Sequence, residues 1–106
     1  MLTIENRVMM IKQDLMMFLT ADNNFSVLNR IINILNRRRV RIRTLEAHEN
    51  PEDFRKGRVA MLIHTTPEMA EKVKLQLEKL IEVEQVSYHE RTCIEETVSQ
   101  QINYTS

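Results

Sequence analysis

The sequence predicts an α+β fold of the ferredoxin-like βαββαβ kind, and three observations predict it. Two stretches, near residues 28–35 and 69–80, carry apolar residues at helical spacing. Four shorter stretches carry apolar residues in alternation or as a compact run. These segments follow one another as strand, helix, strand, strand, helix, strand. Such an order builds a four-stranded antiparallel sheet with two helices on one face.

The first strand is expected over residues 14–21. Its run Leu15-Met16-Met17-Phe18-Leu19 is nearly continuous apolar. A strand buried on both faces looks like this, and so does a buried piece of helix. The polar break Asp22-Asn23-Asn24 favours the strand. Ser26 is the N-cap candidate for the first helix. After it, Leu28, Ile31, Ile32 and Leu35 fall at i, i+3, i+4, i+7 and share a face. Asn29, Arg30, Asn33, Asn36 and Arg37 take the other side. The helix is expected to end near Arg38, where arginines suit the negative end of the helix dipole.

Residues 40–47 alternate, with Val40 and Ile42 on one side and Arg41 and Arg43 on the other, which predicts a half-buried strand. Glu49-Asn50-Pro51-Glu52-Asp53 is a loop. Gly57 then precedes a third strand over 58–64, with Val59, Met61 and Ile63 facing one way. The two strands are expected to form an antiparallel hairpin. Thr66-Pro67-Glu68 opens the second helix, with a capping hydroxyl, a proline at the first helical position and an acid at the positive end. Met69, Val73, Leu77 and Leu80 recur at i, i+4, i+8, i+11. Glu68 and Lys72 form an i,i+4 pair worth about 0.3 kcal/mol. Residues 83–89 form the last strand, with Val86 and Tyr88 on one face.

The domain is thus expected over 13–90. Residues 1–12 form an N-terminal extension that reads as a short helix or as an early start to the first strand. Residues 91–106 form a tail. Its Ile94, Val98 and Ile102 suit a short docking helix, and disorder is an equal reading. The sheet face away from the helices is expected to be partly apolar, which usually marks a partner surface.

With 106 residues the chain makes one domain, at a size where dimers are common. Fifteen basic and 15 acidic residues leave no net charge, so no global field draws it to nucleic acid or to an anionic membrane. The single cysteine, Cys93, excludes an intramolecular disulfide and a multi-cysteine zinc site. A reducing, cytoplasmic compartment is expected. Neither a secretory leader nor a membrane span is expected.

Catalytic constellations are weak. His48, His64 and His89 each fall near a strand end, with His64 expected at the opposite end of the sheet from the other two. A three-histidine metal site is therefore not expected. Cys93 has a hydroxyl neighbour and no nearby histidine, and reads as a tail thiol. One glycine cannot build a phosphate-binding loop. No cofactor is expected. The conspicuous feature is Arg37-Arg38-Arg39-Val40-Arg41-Ile42-Arg43. Clustered cations suit a nucleic-acid backbone, but a sheet that reads RNA needs aromatics on its central strands. The third strand, 58–64, has none. A helix C-terminus and an outward strand face account for most of these arginines; the other reading has Arg37, Arg38, Arg41 and Arg43 meet an acidic protein partner. The link between the first strand and the first helix is a seat for a carboxylate, because backbone N–H groups converge at a helix N-terminus.

Residues 23–90 resemble an ACT domain, and within that superfamily the small regulatory subunit of acetolactate (acetohydroxyacid) synthase. The run Asn23-Asn24-Phe25-Ser26-Val27-Leu28-Asn29-Arg30 stands where the family reads Asn-x-Pro-Gly-x-Leu-x-Arg. The helix over 31–38 and then Val40-Arg41-Ile42-Arg43-Thr44-Leu45 follow. Gln76-Leu77-Glu78-Lys79-Leu80 matches the family's close to the second helix. The resemblance implies a homodimer that binds and activates a thiamine-diphosphate-dependent catalytic subunit in branched-chain amino-acid biosynthesis. It further implies a branched-chain amino acid, valine, held at the dimer interface by Asn23, Asn24, Phe25, Ser26, Val27 and Leu28. The family Pro-Gly is replaced by Phe25-Ser26, and a later family glycine by Arg39. A side chain there is expected to fill the pocket or forbid the backbone conformation, which counts against valine feedback. The alternatives are a stand-alone ACT-like amino-acid sensor and, third, a nucleic-acid-binding module.

Overall fold

A computed structural model describes residues 10–90. Most of the N-terminal extension, the tail and Cys93 lie outside the described residues. The elements are β1 (Gln13–Asp22), α1 (Phe25–Arg37), β2 (Arg41–Glu49), β3 (Lys56–Thr65), α2 (Pro67–Glu78) and β4 (Val83–Glu90). The sheet is antiparallel, in the order β2-β3-β1-β4. This is the predicted ferredoxin-like topology. The two central strands are the most apolar ones, as double burial requires.

Residues paired across an antiparallel ladder project to the same face. Leu15, Met17 and Leu19 pair with Ile63, Met61 and Val59, and all six are buried under the helices. From α1 come Val27, Ile31, Ile34 and Leu35; from α2 come Ala70, Val73 and Leu77. Predicted Leu28 and Ile32 are only half-buried, and Val27 and Ile34 take their places. The apolar face is therefore turned by about one residue, and the helix also begins earlier than expected. Its N-cap is Asn24, not Ser26. The Asn24 side chain accepts from the Val27 N–H at 2.9 Å. At α2 the expected cap is present: the Thr66 hydroxyl accepts from the Met69 N–H at 3.1 Å, with Pro67 at the first position.

β2 is not half-buried. It is an edge strand with only Ile42 partly covered. Its ladder with β3 slips between Ile42 and Thr44, so Arg43 is an extra residue, a β-bulge. Ile42, Leu45 and Ala47 consequently share the helix side, and the simple Val40/Ile42 alternation stops there. A second slip, between β1 and β4, leaves Glu84 extra. Both extra residues reach over a strand. Arg43 of β2 meets Asp14 of β1 at 3.0 Å, across β3. Glu84 of β4 meets Lys56 of β3 at 2.6 Å, across β1.

Among the described residues the opposite face carries no helix. The register lays it out in rows across the sheet, spaced about 7 Å apart along the strands. One row is Arg41, His64, Asp14; the next is Thr44, Leu62, Met16, His89; then Glu46, Ala60, Phe18, Ser87; then His48, Arg58, Thr20, Gln85. The face is partly apolar, as expected: Phe18 is exposed, Met16 and Ala60 are half-buried, and Leu62 is buried.

Candidate functional site

Asn23 and Asn24 alone link β1 to α1, so the start of the helix is pinned close to the sheet. Asn23 does the pinning. Its backbone N–H donates to the Arg55 carbonyl at 2.8 Å, and its side-chain amide donates to the Phe54 carbonyl at 2.8 Å and to Glu49 Oε1 at 3.4 Å. Asn23 thus clamps the β2–β3 loop. Gly57 permits the close approach: a Cβ there would lie 3.2 Å from the His48 carbonyl and 3.5 Å from the Asn23 side chain.

The clamp leaves a depression of about 520 Å³ between the start of α1, the end of β2 and the start of β3. Asn23, Asn24, Phe25, Val27 and Leu28 line it, together with His48, Glu49, Gly57 and Arg58. Ser26 does not; it is an exposed residue of α1. The residues from β2 and β3 were not singled out from the sequence, although a hairpin of this length puts Glu49 opposite Gly57. The first turn of α1 has no acidic residue, so its positive end faces the depression without a carboxylate of its own.

The expected obstruction by Phe25 and Ser26 is absent. Phe25 is 85% exposed and stands at the rim. Among the described residues only Arg39 has a positive φ without being glycine, so the backbone at Phe25 and Ser26 does not require glycine. Arg39 itself keeps the left-handed turn, at φ 56°.

The arginine run is divided by the fold. Arg37 closes α1, and Arg38 caps it while donating from Nε to Gln76 of α2 at 2.7 Å. Arg41 and Arg43 lie on the helix-free side. Arg43 and His64 both hold Asp14, with His64 Nδ1 2.9 Å from Asp14 Oδ1. The His64 bond, followed by Arg43, lowers the Asp14 pKa below its ordinary value. Among the described residues Arg37 and Arg41 have no hydrogen-bond or ion-pair partner.

The histidine placement differs from expectation. β3 and β4 are both antiparallel to β1 and so run the same way. Their C-terminal histidines, His64 and His89, therefore lie at one end, and His48 lies at the other. Among the described residues no group of three or more metal-ligating side chains occurs. β3 has no aromatic, but β1, the other central strand, places Phe18 on the helix-free face. Phe18 is 39% exposed and stacks on His89 with centroids 5.3 Å apart. Among the described residues no helix is long and apolar enough to cross a membrane.

A family model described as "ACT domain" matches residues 23–86. No curated protein matches the sequence. Among solved structures, the ACT domain from GTP pyrophosphokinase of Chlorobium tepidum superposes with a TM-score of 0.62 at 15% identity, covering 74% of this chain and all of that one (100%). A homoserine dehydrogenase from Thiobacillus denitrificans gives 0.63 at 18% identity, over 76% of this chain and 18% of the enzyme. The 30S ribosomal protein S6 of Thermotoga maritima gives 0.60 at 10% identity, over 86% and 98% of the two chains. At these identities the structural likenesses establish the fold.

Proposed function

The chain belongs to the ACT domain family, a regulatory and non-catalytic fold, and from that premise we propose that it is a regulatory subunit that binds and activates an acetolactate synthase catalytic subunit. The observation that carries the reading is a juxtaposition. The depression beside α1 opens against the end of β2, and β2 is an edge strand exposed along its length. An exposed edge presents unpaired backbone groups to a second strand. Leu45, 38% exposed on its helix-side face, would be covered if two copies joined edge to edge. An amino acid seated in the depression would then lie beside the junction, its carboxylate toward the helix N-terminus.

The motif resemblance in the 23–30 and 76–80 segments supports this choice of partner. Arg37 and Arg41, both without partners among the described residues, are cations available to an acidic surface on it. The thiamine diphosphate would belong to that partner, and this chain would hold no cofactor. Its action would be to bind one conformation of the catalytic subunit better than another, which is the only way a subunit shifts an equilibrium. An effector in the depression would act by changing that difference.

The test is an acetolactate synthase assay on the catalytic subunit of the same organism, with and without this protein and with added valine. Activation is the expected result. Suppression of that activation by valine would assign the depression to an effector. Activation indifferent to valine would leave the subunit role standing without feedback. No activation at saturating protein would sink the subunit reading and promote an ACT sensor with another partner.

A further inference from the structure

The helix-free face holds a second depression, of about 340 Å³, which meets the first only at His48, Arg58 and Val59. Its origin is legible in the rows. Phe18 is flanked by Ala60 on β3 and Ser87 on β4, two side chains too small to cover its ring. His89 stacks on Phe18 but does not line the depression, so it steadies the ring from outside. A ring held in this way is a ready surface for a second planar group.

The adjoining row supplies polarity. Arg58, Thr20 and Gln85 come from three neighbouring strands and line the same depression. Arg58 is exposed, and among the described residues it has no hydrogen-bond or ion-pair partner. Glu46, at the β2 end of the Phe18 row, is engaged with His48 at 3.5 Å. Arg58 therefore offers its planar fork to an incoming anion, the geometry that suits carboxylate and phosphate.

We propose that this depression binds a small planar organic anion, with an aromatic ring lying on Phe18 and one carboxylate or phosphate group held by Arg58. Phe18 and Arg58 are diagonal neighbours across the β1–β3 ladder. Their Cα atoms are thus about 7–8 Å apart, the reach of one ring bearing one anionic group. The hydroxyls of Thr20 and Ser87 and the amide of Gln85 would meet polar atoms on the ligand's edge. The volume is at the lower end of small-molecule sites, which suits a small ligand. The proposed site shares Arg58 and His48 with the first depression, but the inference does not rest on the subunit reading, since it uses neither the β2 edge nor the α1 N-terminus.

The experiment is an NMR titration of the whole chain with phenylacetate, phenyl phosphate, cyclohexylacetate and acetate. Saturable shifts at Phe18, Arg58 and Ser87 with the two aromatic anions, and weaker binding of the other two, are expected. The tighter of phenylacetate and phenyl phosphate identifies the anionic group. Arg58→Gln and Phe18→Leu should each weaken that ligand about tenfold. Both positions are exposed, and the spectrum of each variant reports its folding directly. Lys74→Gln, on α2 and in neither depression, should leave ligand binding unchanged. Equal binding of cyclohexylacetate, binding indifferent to both substitutions, or no saturation at millimolar concentration would each overturn the proposal.

Discussion

Arg39 shows what a single dihedral angle costs. Its φ of 56° lies in the left-handed region, where an L side chain crowds the backbone. The turn passes the chain from α1 to β2, with the Arg39 N–H donating to the Asn36 carbonyl at 3.0 Å and the Val40 N–H to the Leu35 carbonyl at 3.0 Å. Arg39→Gly should therefore raise the unfolding free energy by up to about 1 kcal/mol in a urea titration. Asp14 is a residue-scale case with a pH signature. Its folded pKa is lowered, by His64 first and Arg43 after it. A carboxyl lowered in the folded state contributes stability above its unfolded pKa and loses it as the pH falls through the folded one. Stability should thus decline below about pH 4, and Asp14→Asn should flatten that decline. Equal acid slopes for the two proteins would show that Asp14 is not the group responsible.

At the scale of elements, β2 is the least committed strand and the one on which the sequence misled. The alternation at Val40–Arg43 is real, but it covers only one turn of the pattern before the bulge shifts the phase. A bulge leaves no mark in the hydrophobic period of so short a stretch. The helix start was misread for a related reason: Asn24 and Ser26 both satisfy the capping preference, and only the clamp by Asn23 decides between them. By contrast, Thr66-Pro67 admitted one reading and gave the right one. Of the two depressions, the loop side of the first was visible from its motif. The strand residues opposite it, and all of the second depression, needed register. Dimerisation is the test for β2. Leu45→Lys, which places a charge on the exposed edge, should shift the protein from dimer to monomer in light scattering, with its circular dichroism unchanged. At the α2–β4 contact, the Tyr88 hydroxyl donates to Glu71 at 2.7 Å. Burial, then that bond, pushes its pKa up to about 12 from 10.0. An ultraviolet titration should show a late-ionising tyrosine that Tyr88→Phe removes. Because the folded state holds that proton more tightly, the stability it contributes is lost as the pH rises from about 10 toward 12.

For the whole molecule, the division of labour runs between its surfaces. One side of the sheet is spent on the core under α1 and α2, the sheet ends in two edge strands, β2 and β4, and among the described residues the other side is free of helices. If two copies join at the β2 edge, folding and association become one equilibrium, and the melting temperature should rise with protein concentration. A melting temperature constant over a hundredfold concentration range would contradict the edge-to-edge dimer. The two bulges add something of a different kind. Removing Arg43 would place Ile42 and Thr44 opposite Ile63 and Leu62 in an unbroken ladder, and removing Glu84 would do the same for Val83 and Gln85 against Ala21 and Thr20. Neither loss moves another residue out of its row. In genetic terms, each bulge is a codon the gene can drop in frame, forfeiting one surface ion pair while every other side chain keeps its address.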